Sequence, residues 1–243
     1  MRKLSFKRYR HNAEVIRPTV WLYFRFSLSL RDVDEILAER GVEVSHEAIR
    51  PWVHKFGLQI ARNLKRLRPA PSPRWHLDEM VSRIGDRHMY FWRAVDDEGE
   101  VLGNTVAKRR HASTPTSFIE KLLREQPVSP TAIVTDGLKS YVSAVDALGP
   151  TELYRPGRLR ENNRVENSHL SIRQRERRMQ GFKSQISAQR FLPTHTAVYN
   201  TFNMQRHLAS RPAMKLFRAA AHHAWRRGMS GEVPLLSHPP ELS

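Results

Sequence analysis

Cysteine is absent from this sequence, which excludes disulfide bonds and a zinc site built from thiolates and fits a protein of a reducing cytosol. No apolar run approaches the roughly 20 residues that span a bilayer. The apolar segment VWLYFRFSLSL follows a basic N-terminus, as in a signal peptide, but Arg25 interrupts it and no small-residue cleavage site follows. We therefore expect a soluble, cytoplasmic protein with no membrane partner.

Acidic residues are few for a chain of 243 residues. Aspartate and glutamate number 24 against 41 lysines and arginines, which gives a formal net charge of +17 and an isoelectric point of about 10.9. Such an excess says nothing about the fold, but it favours a polyanionic partner. Nucleic acid is the first candidate and an acidic membrane surface the second.

Changes in composition predict four regions. Residues 1–67 are basic and have helical periodicity, and the proline-rich RPAPSPR (68–74) is a natural linker. Residues 75–209 alternate strand and helix patterns, and residues 210–243 form a helical or flexible tail. We therefore expect an all-α N-terminal domain followed by an α/β domain.

The first region contains the pattern of a helix-turn-helix. Val33, Ile36 and Leu37 have helical spacing, Gly41 ends that helix, and Ser45 can cap a second short helix. On the second helix we expect four side chains to face outward for contacts to bases or phosphates: His46, Glu47, Arg50 and His54. Proline within this helix, at position 51, removes an amide donor and predicts either a kink or a weakened module. A plain helical hairpin remains the alternative.

The α/β region begins with three strand patterns, joined by turns at IGDR and DDEG. A helix (STPTSFIEKLLREQ), a short apolar strand (TAIVTDG), a second helix (138–148) and a strand (152–155) follow. The order predicts a mixed sheet flanked by helices, with its later strands parallel to the first.

Two aspartates interrupt apolar strands, Asp78 in WHLDEMV and Asp136 at the end of AIVTDG. Each has an ordinary explanation, since Asp136 could form a turn before Gly137 and Asp78 could lie on an open sheet face. If the two strands are neighbours, however, both carboxylates meet at one point. Such oxygen ligands suit Mg²⁺ or Mn²⁺, and a pair of these ions supports phosphoryl transfer.

A third acid lies in the cationic stretch RENNRVENSHLSIRQRERR, which spans residues 160–178. On a helix, Glu166 shares a face with His169 and Arg173. The alternative is a solvated, charged helix with local ion pairs, which is how we interpret Glu161 and Glu176.

In order, the segments WHLDEM, YFWRAVDDEGEVL, IVTDGLKSY, RENNRVENSH and RRMQGFKS resemble the DDE transposases of bacterial insertion sequences, and the insertion-sequence-six family most closely. The resemblance runs from about residue 24 to residue 203. It implies an RNase H-like catalytic domain preceded by a helix-turn-helix domain. It also implies a protein of the bacterial cytoplasm, associated with the nucleoid.

The resemblance further implies that Asp78, Asp136 and Glu166 form a catalytic triad that binds two Mg²⁺ or Mn²⁺ ions. Relatives bind terminal inverted repeats, cleave a strand and join its 3′-hydroxyl to target DNA, and the resemblance implies cointegrate formation as the outcome. A dimer or higher oligomer would hold the two ends. Besides the helix-turn-helix residues, the expected DNA contacts are Arg173, His169, Arg164 and Lys139.

Two other functions remain open from the residues. A non-enzymatic helix-turn-helix regulator would leave the three acids without a role. An RNase H-like nuclease or resolvase would share the metal chemistry but would have no need of a module that recognises DNA ends.

Overall fold

The structure, a computed structural model, describes residues 3–111, 113–149, 151–157, 162–204 and 209–230. Its five strands are β1 (Arg74–Ile84), β2 (Arg87–Asp96), β3 (Val101–Ala107), β4 (Ala132–Thr135) and β5 (Tyr154–Pro156). Its helices are α1 (Ala13–Arg25), α2 (Leu30–Ala38), α3 (His46–Leu67), α4 (Ser113–Glu125), α5 (Lys139–Leu148), α6 (Asn163–Arg178), α7 (Gln185–Phe202) and α8 (Arg211–Ser230). No helix in this part of the chain is long and apolar enough to cross a bilayer.

The strands form one mixed sheet in the order β3-β2-β1-β4-β5. β1, β2 and β3 are antiparallel, whereas β4 and β5 run parallel to β1. This confirms the predicted RNase H-like mixed sheet flanked by helices. The predicted last strand is shifted, because residues 151–153 form a 3₁₀ turn and the strand begins only at Tyr154.

The predicted turn positions are glycines in the left-handed region of backbone space. Gly85 (φ +61°) joins β1 to β2, and Gly99 (φ +78°) joins β2 to β3. Gly41 (φ +72°) follows α2, and the Ser45 hydroxyl accepts a hydrogen bond from the backbone N–H of residue 48 at the start of α3. The helix-turn-helix pattern is therefore present as predicted.

The second helix of this pair is not short, as we had expected, but spans 22 residues. It continues through Pro51, which lies near its N-terminus on an exposed side. The helix is long because its C-terminal half packs against α7 and α8, with Ile60 and Leu64 buried.

Two hydrophobic layers cover the sheet. On one face, Trp75, Leu77 and Trp92 pack with residues of α4 and α5. The cluster on the other face, which includes Met80 and Phe91, also contains residues from α1, α2, α3, α6, α7 and α8. The N-terminal helices and the tail helix α8 therefore share one core with the sheet.

The proline-rich connector is held against the β2–β3 turn. Arg68 forms an ion pair with Glu100, and its Nη1 donates to the carbonyl of Val101 at 3.0 Å. The backbone N–H of Ser72 donates to the carboxylate of Asp96 at 3.0 Å. Burial raises the pKa of Glu100 to about 7, in spite of the opposing charge of Arg68.

Side chains of α7 cover the free edge of β3. Asn200 bonds both the N–H and the carbonyl of Val101 at 2.9 Å, and Gln189 accepts from the N–H of Val106 at 3.0 Å. An open strand edge is prone to pair with other chains. These amides satisfy the edge and fix α7 in place.

Candidate active site

The structure brings Asp78 and Asp136 to neighbouring positions of the sheet. β1 and β4 are parallel, with Trp75 opposite Ile133 and His76 opposite Val134. Continuing this register by two residues places Asp136, which directly follows β4, beside Asp78. The negative charge of Asp78 contributes to raising the pKa of Asp136, after the larger effect of desolvation.

A tight turn fixes the direction of Asp136. The Thr135 hydroxyl accepts from the N–H of Gly137 at 3.1 Å, and Asp136 Oδ1 accepts from the N–H of Leu138 at 3.3 Å. Gly137 has a φ of +81°, which other residues adopt at a cost. Asp136 is thus a turn residue before Gly137, one of the two possibilities that the sequence left open, and it is also the neighbour of Asp78.

Glu166 lies in the first turn of α6 and is exposed. The helix buries Val165, Ser168 and Ile172 in the contact with β1 and β2. Within the described residues, no three histidine, aspartate or glutamate side chains lie close enough together to hold a metal ion. The structure therefore brings two of the three expected acids together and leaves Glu166 exposed on α6, three residues before His169.

His169 connects α6 to Asp78. Its Nε2 lies 3.4 Å from Asp78 Oδ2, and both side chains are largely buried. Burial lowers the pKa of His169, the charges of Arg93 and Arg173 lower it further, and Asp78 opposes both effects. We had expected His169 among the DNA contacts. The structure places its ring against a carboxylate instead, because this side of α6 faces the sheet.

Two buried polar side chains anchor α6 to the sheet, and the sequence analysis identified neither of them. Arg93, opposite Asp78 on β2, donates to the Ser168 hydroxyl and to Asn104 Oδ1, both at 2.8 Å. Burial lowers the pKa of Arg93 to about 10. Asn162, which precedes α6, donates to the carbonyl of Leu77 at 3.2 Å. Both contacts set the height of the helix above Asp78.

A second group missed from the sequence is centred on Glu79, whose side chain points away from that of Asp78, to the opposite face of the sheet. Glu79 forms an ion pair with Arg110, and its Oε2 is buried without a hydrogen-bond partner. Burial raises the pKa of Glu79, and Asp136 and Asp78 raise it further against the opposing charge of Arg110. Strand alternation after Asp78 could have located Glu79, but nothing in the sequence pairs it with Arg110.

The other expected DNA contacts lie at two places. Arg173 is exposed on α6, Lys139 is exposed at the start of α5 just beyond Asp136, and Arg164 lies 3.8 Å from Asp97. Arg50 and His54 are exposed on α3, and His46 there is partly buried beside Asp34. Desolvation and then the charges of Arg50 and Arg190 lower the pKa of His54, so Arg190 of α7 adjoins this surface.

Arg175 joins α6 to the helix-turn-helix region. Its buried guanidinium donates to the carbonyls of Phe26 (3.2 Å) and Leu28 (2.5 Å) and lies 4.0 Å from the ring centre of Tyr23. Glu176, expected to be solvated, accepts a hydrogen bond from Ser82 of β1. Glu161 lies outside the described residues.

Comparisons with known proteins identify relatives of this chain. Residues 72–205 match the family model of the DDE domain of IS240-type transposases. The transposase for insertion sequence-like element IS431mec of Staphylococcus aureus is 30% identical over 186 residues, which cover 74% of this chain and 83% of the relative. The transposase for insertion sequence element IS257 in transposon Tn4003, also of Staphylococcus aureus, is 29% identical over the same lengths.

Among solved structures, a chain of the simian T-cell lymphotropic virus intasome in complex with PP2A regulatory subunit B56 gamma is similar with a TM-score of 0.41. Its sequence identity is 15%, and the match covers 72% of this chain and 59% of that chain.

Proposed function

This chain belongs to the DDE transposases of insertion sequences, and we propose that it binds the terminal inverted repeats of its element, cleaves one strand and joins the freed 3′-hydroxyl to target DNA. The observation that carries this proposal is the pairing of Asp78 with Asp136 on neighbouring parallel strands, beneath the helix that carries Glu166.

Transposases of this family typically use a divalent metal ion. The donor set fits such an ion, because desolvation and the negative charge of Asp78 raise the pKa of Asp136, and a hard cation would stabilise the ionised carboxylate. We propose that Asp78 and Asp136 hold two Mg²⁺ or Mn²⁺ ions together with Glu166. When bound, these ions would activate the attacking oxygen and stabilise the leaving oxygen of the phosphodiester.

The remaining side chains position the reactants. His169 supports the Asp78 carboxylate from α6, so that the oxygens of Asp78 stay aimed at the site. Arg173, four residues after His169 on α6, and Lys139, three residues after Asp136, are both exposed and would bind the phosphates of a DNA backbone.

The long helix α3 supplies recognition of the terminal repeat. Arg50 and His54 present donors from its exposed side, as in other helix-turn-helix proteins. Because the two ends of an element must be held together, we propose that the working form is a homodimer or a higher oligomer.

The proposal is tested by strand cleavage with Asp78→Asn, Asp136→Asn and Glu166→Gln, each assayed on a labelled terminal-repeat duplex in Mg²⁺. Each variant should lose cleavage by at least about a thousandfold and still bind the duplex in a gel-shift assay, since these changes remove ligands and leave α3 intact. Glu176→Gln is the matched control on the same helix and should retain cleavage. Cleavage at the wild-type rate by any of the three variants would refute that ligand's role.

A further inference from the structure

The tail helix α8 carries a row of cationic and imidazole side chains along one side. The spacing of these residues, four or three apart, keeps them within about 80° of one another around the helix. The row is about 22 Å long, from 1.5 Å of rise per residue. Its members are Arg211, Lys215, Arg218, His222 and Arg226, and α8 contains no aspartate or glutamate. We refer to these five residues as the α8 row.

The charged side chains of the α8 row are available for a ligand. Lys215, Arg218 and Arg226 are exposed, and none has an ion-pair partner in the part of the chain that the structure describes. Elsewhere, cations on the surface are often matched, as Arg50 is by Glu47 at 2.9 Å. Several unmatched cations in a row repel one another, and a polyanion relieves that repulsion.

The side of α8 that adjoins the row holds the helix in place against the rest of the protein. Ala221, Trp225 and Met229 are buried in the shared core, and Asn63 of α3 donates to the carbonyl of Gly228 at 2.8 Å. A helix that binds a lipid surface keeps an apolar side free to enter it. In α8 the large apolar side chains of Trp225 and Met229 are already buried, and the exposed apolar side chains are Leu216 and small alanines, so nucleic acid fits the α8 row better than a membrane.

The α8 row adjoins the C-terminal end of α1. The His222 ring lies 5.3 Å from that of Trp21 and 5.5 Å from that of Phe202. The Arg25 guanidinium lies over the same Phe202 ring at 5.1 Å. The basic surface therefore continues from α8 onto the end of α1. α8 meets α3 at Asn63 and Leu64, more than two helical turns beyond His54.

We propose that the α8 row is a second DNA-binding surface, which holds the phosphate backbone of duplex DNA without reading its sequence. The inference rests on the proposed function only in taking DNA as the substrate. A transposase handles both a terminal repeat and target DNA of arbitrary sequence, and the two need separate surfaces. The exposed side of α3, with Arg50 and His54, suits the terminal repeat, and the α8 row suits the target DNA.

The test compares binding of a duplex that lacks the terminal repeat by the full chain and by the triple variant Lys215→Gln, Arg218→Gln, Arg226→Gln. Affinity should fall by about tenfold or more at moderate salt, and the slope of log K against log[salt] should decrease in magnitude by about 2.7. The matched control removes three other exposed arginines (Arg83→Gln, Arg87→Gln, Arg124→Gln) and should leave the slope nearly unchanged. Circular dichroism and melting curves verify that all variants are folded.

A charge-preserving variant (Lys215→Arg, Arg218→Lys, Arg226→Lys) should bind like the wild type. If the triple variant and its control lost equal amounts of affinity for DNA, the proposal would be overturned, because the affinity would then depend only on the net charge of the protein. Binding to vesicles containing anionic lipid, together with unchanged DNA binding, would overturn it in favour of a membrane surface. Cleavage of a terminal-repeat duplex at low salt is measured in parallel, so that a failure of the catalytic proposal appears in the wild type and is distinguished from a failure of the α8 row.

Discussion

Arg93 lies opposite Asp78 across the β1–β2 ladder, yet its guanidinium donates to Ser168 and Asn104. The buried Arg93 guanidinium thus bonds α6 through Ser168 and β3 through Asn104. Asn104 in turn donates to Thr196 of α7 at 2.7 Å. One polar network therefore fixes α6 and α7 against the sheet.

We expect Arg93→Met to lower the free energy of unfolding by roughly 1–3 kcal/mol, because two buried partners lose their donor. The cleavage rate should fall while affinity for the terminal repeat stays the same, since α3 is untouched. Arg87→Met, at the exposed start of the same strand, is the control and should change stability by about 0.5 kcal/mol or less. Wild-type cleavage and stability in Arg93→Met would contradict this positioning role.

Gly137→Ala tests the turn that aims Asp136. Its φ of +81° makes a side chain cost about 1–2 kcal/mol, although only Pro156, at 4.0 Å, lies near the added carbon. The turn should shift and cleavage should fall. Gly85→Ala, at φ +61° in the β1–β2 hairpin, should cost a similar amount of stability and leave cleavage unchanged. Equal cleavage by the two variants would show that the turn does not orient Asp136.

His195 should make the fold sensitive to acid. Burial lowers its pKa to about 3, and the charges of Arg93 and Arg175 contribute. Between pH 6.5 and 3, His195 binds a proton in the unfolded chain but not in the folded chain. The part of the unfolding free energy that depends on neutral His195 is therefore fully present above pH 6.5 and is lost as the pH falls. The contribution is about 1.4 kcal/mol per pH unit.

Urea unfolding at pH 7 and pH 5 measures this effect. The loss of unfolding free energy between the two should be smaller by about 2 kcal/mol in His195→Phe than in the wild type. Phenylalanine keeps the ring contact with Phe191, whose ring centre lies 5.4 Å away. His223→Gln, at an exposed position, should show the wild-type loss. If His195→Phe lost as much unfolding free energy between pH 7 and pH 5 as the wild type, groups other than His195 would cause the acid sensitivity.

Arg173→Ala should weaken binding of terminal-repeat DNA and reduce the magnitude of its salt slope by about 0.9, the amount for one phosphate contact. The measurement is a binding titration across salt concentrations. Arg177→Ala, one turn further along α6 and also exposed, is the comparison. If Arg173→Ala retained the wild-type slope, Arg173 would have no phosphate contact.

The strands of the sheet were predictable because each carries its own signal. β1 and β2 have apolar patterns of strand length, and glycines mark their turns, and the connection rules predict that the later strands run parallel to the first. The extent of α3 was not predictable. Its second half is held by contacts with α7 and α8, which lie more than 100 residues further along the chain.

Within the site, Asp78 and Asp136 were predictable because each is an acid in an apolar strand. The roles of Arg93 and Arg110 were not, since a charged residue at a strand or loop position is ordinarily solvated. Only the pairing of strands and the docking of α6 show that Arg93 is buried and that Arg110 pairs with Glu79. The burial of His169 likewise depends on how α6 sits on the sheet.

The most direct test of the central claim is strand joining. A labelled terminal-repeat oligonucleotide with a free 3′-hydroxyl is incubated with supercoiled plasmid, Mg²⁺ and either the wild type or Asp136→Asn, and the label that becomes joined to plasmid is counted. The wild type should join the oligonucleotide, and Asp136→Asn should bind it without joining. Joining by Asp136→Asn at the wild-type rate would contradict the account.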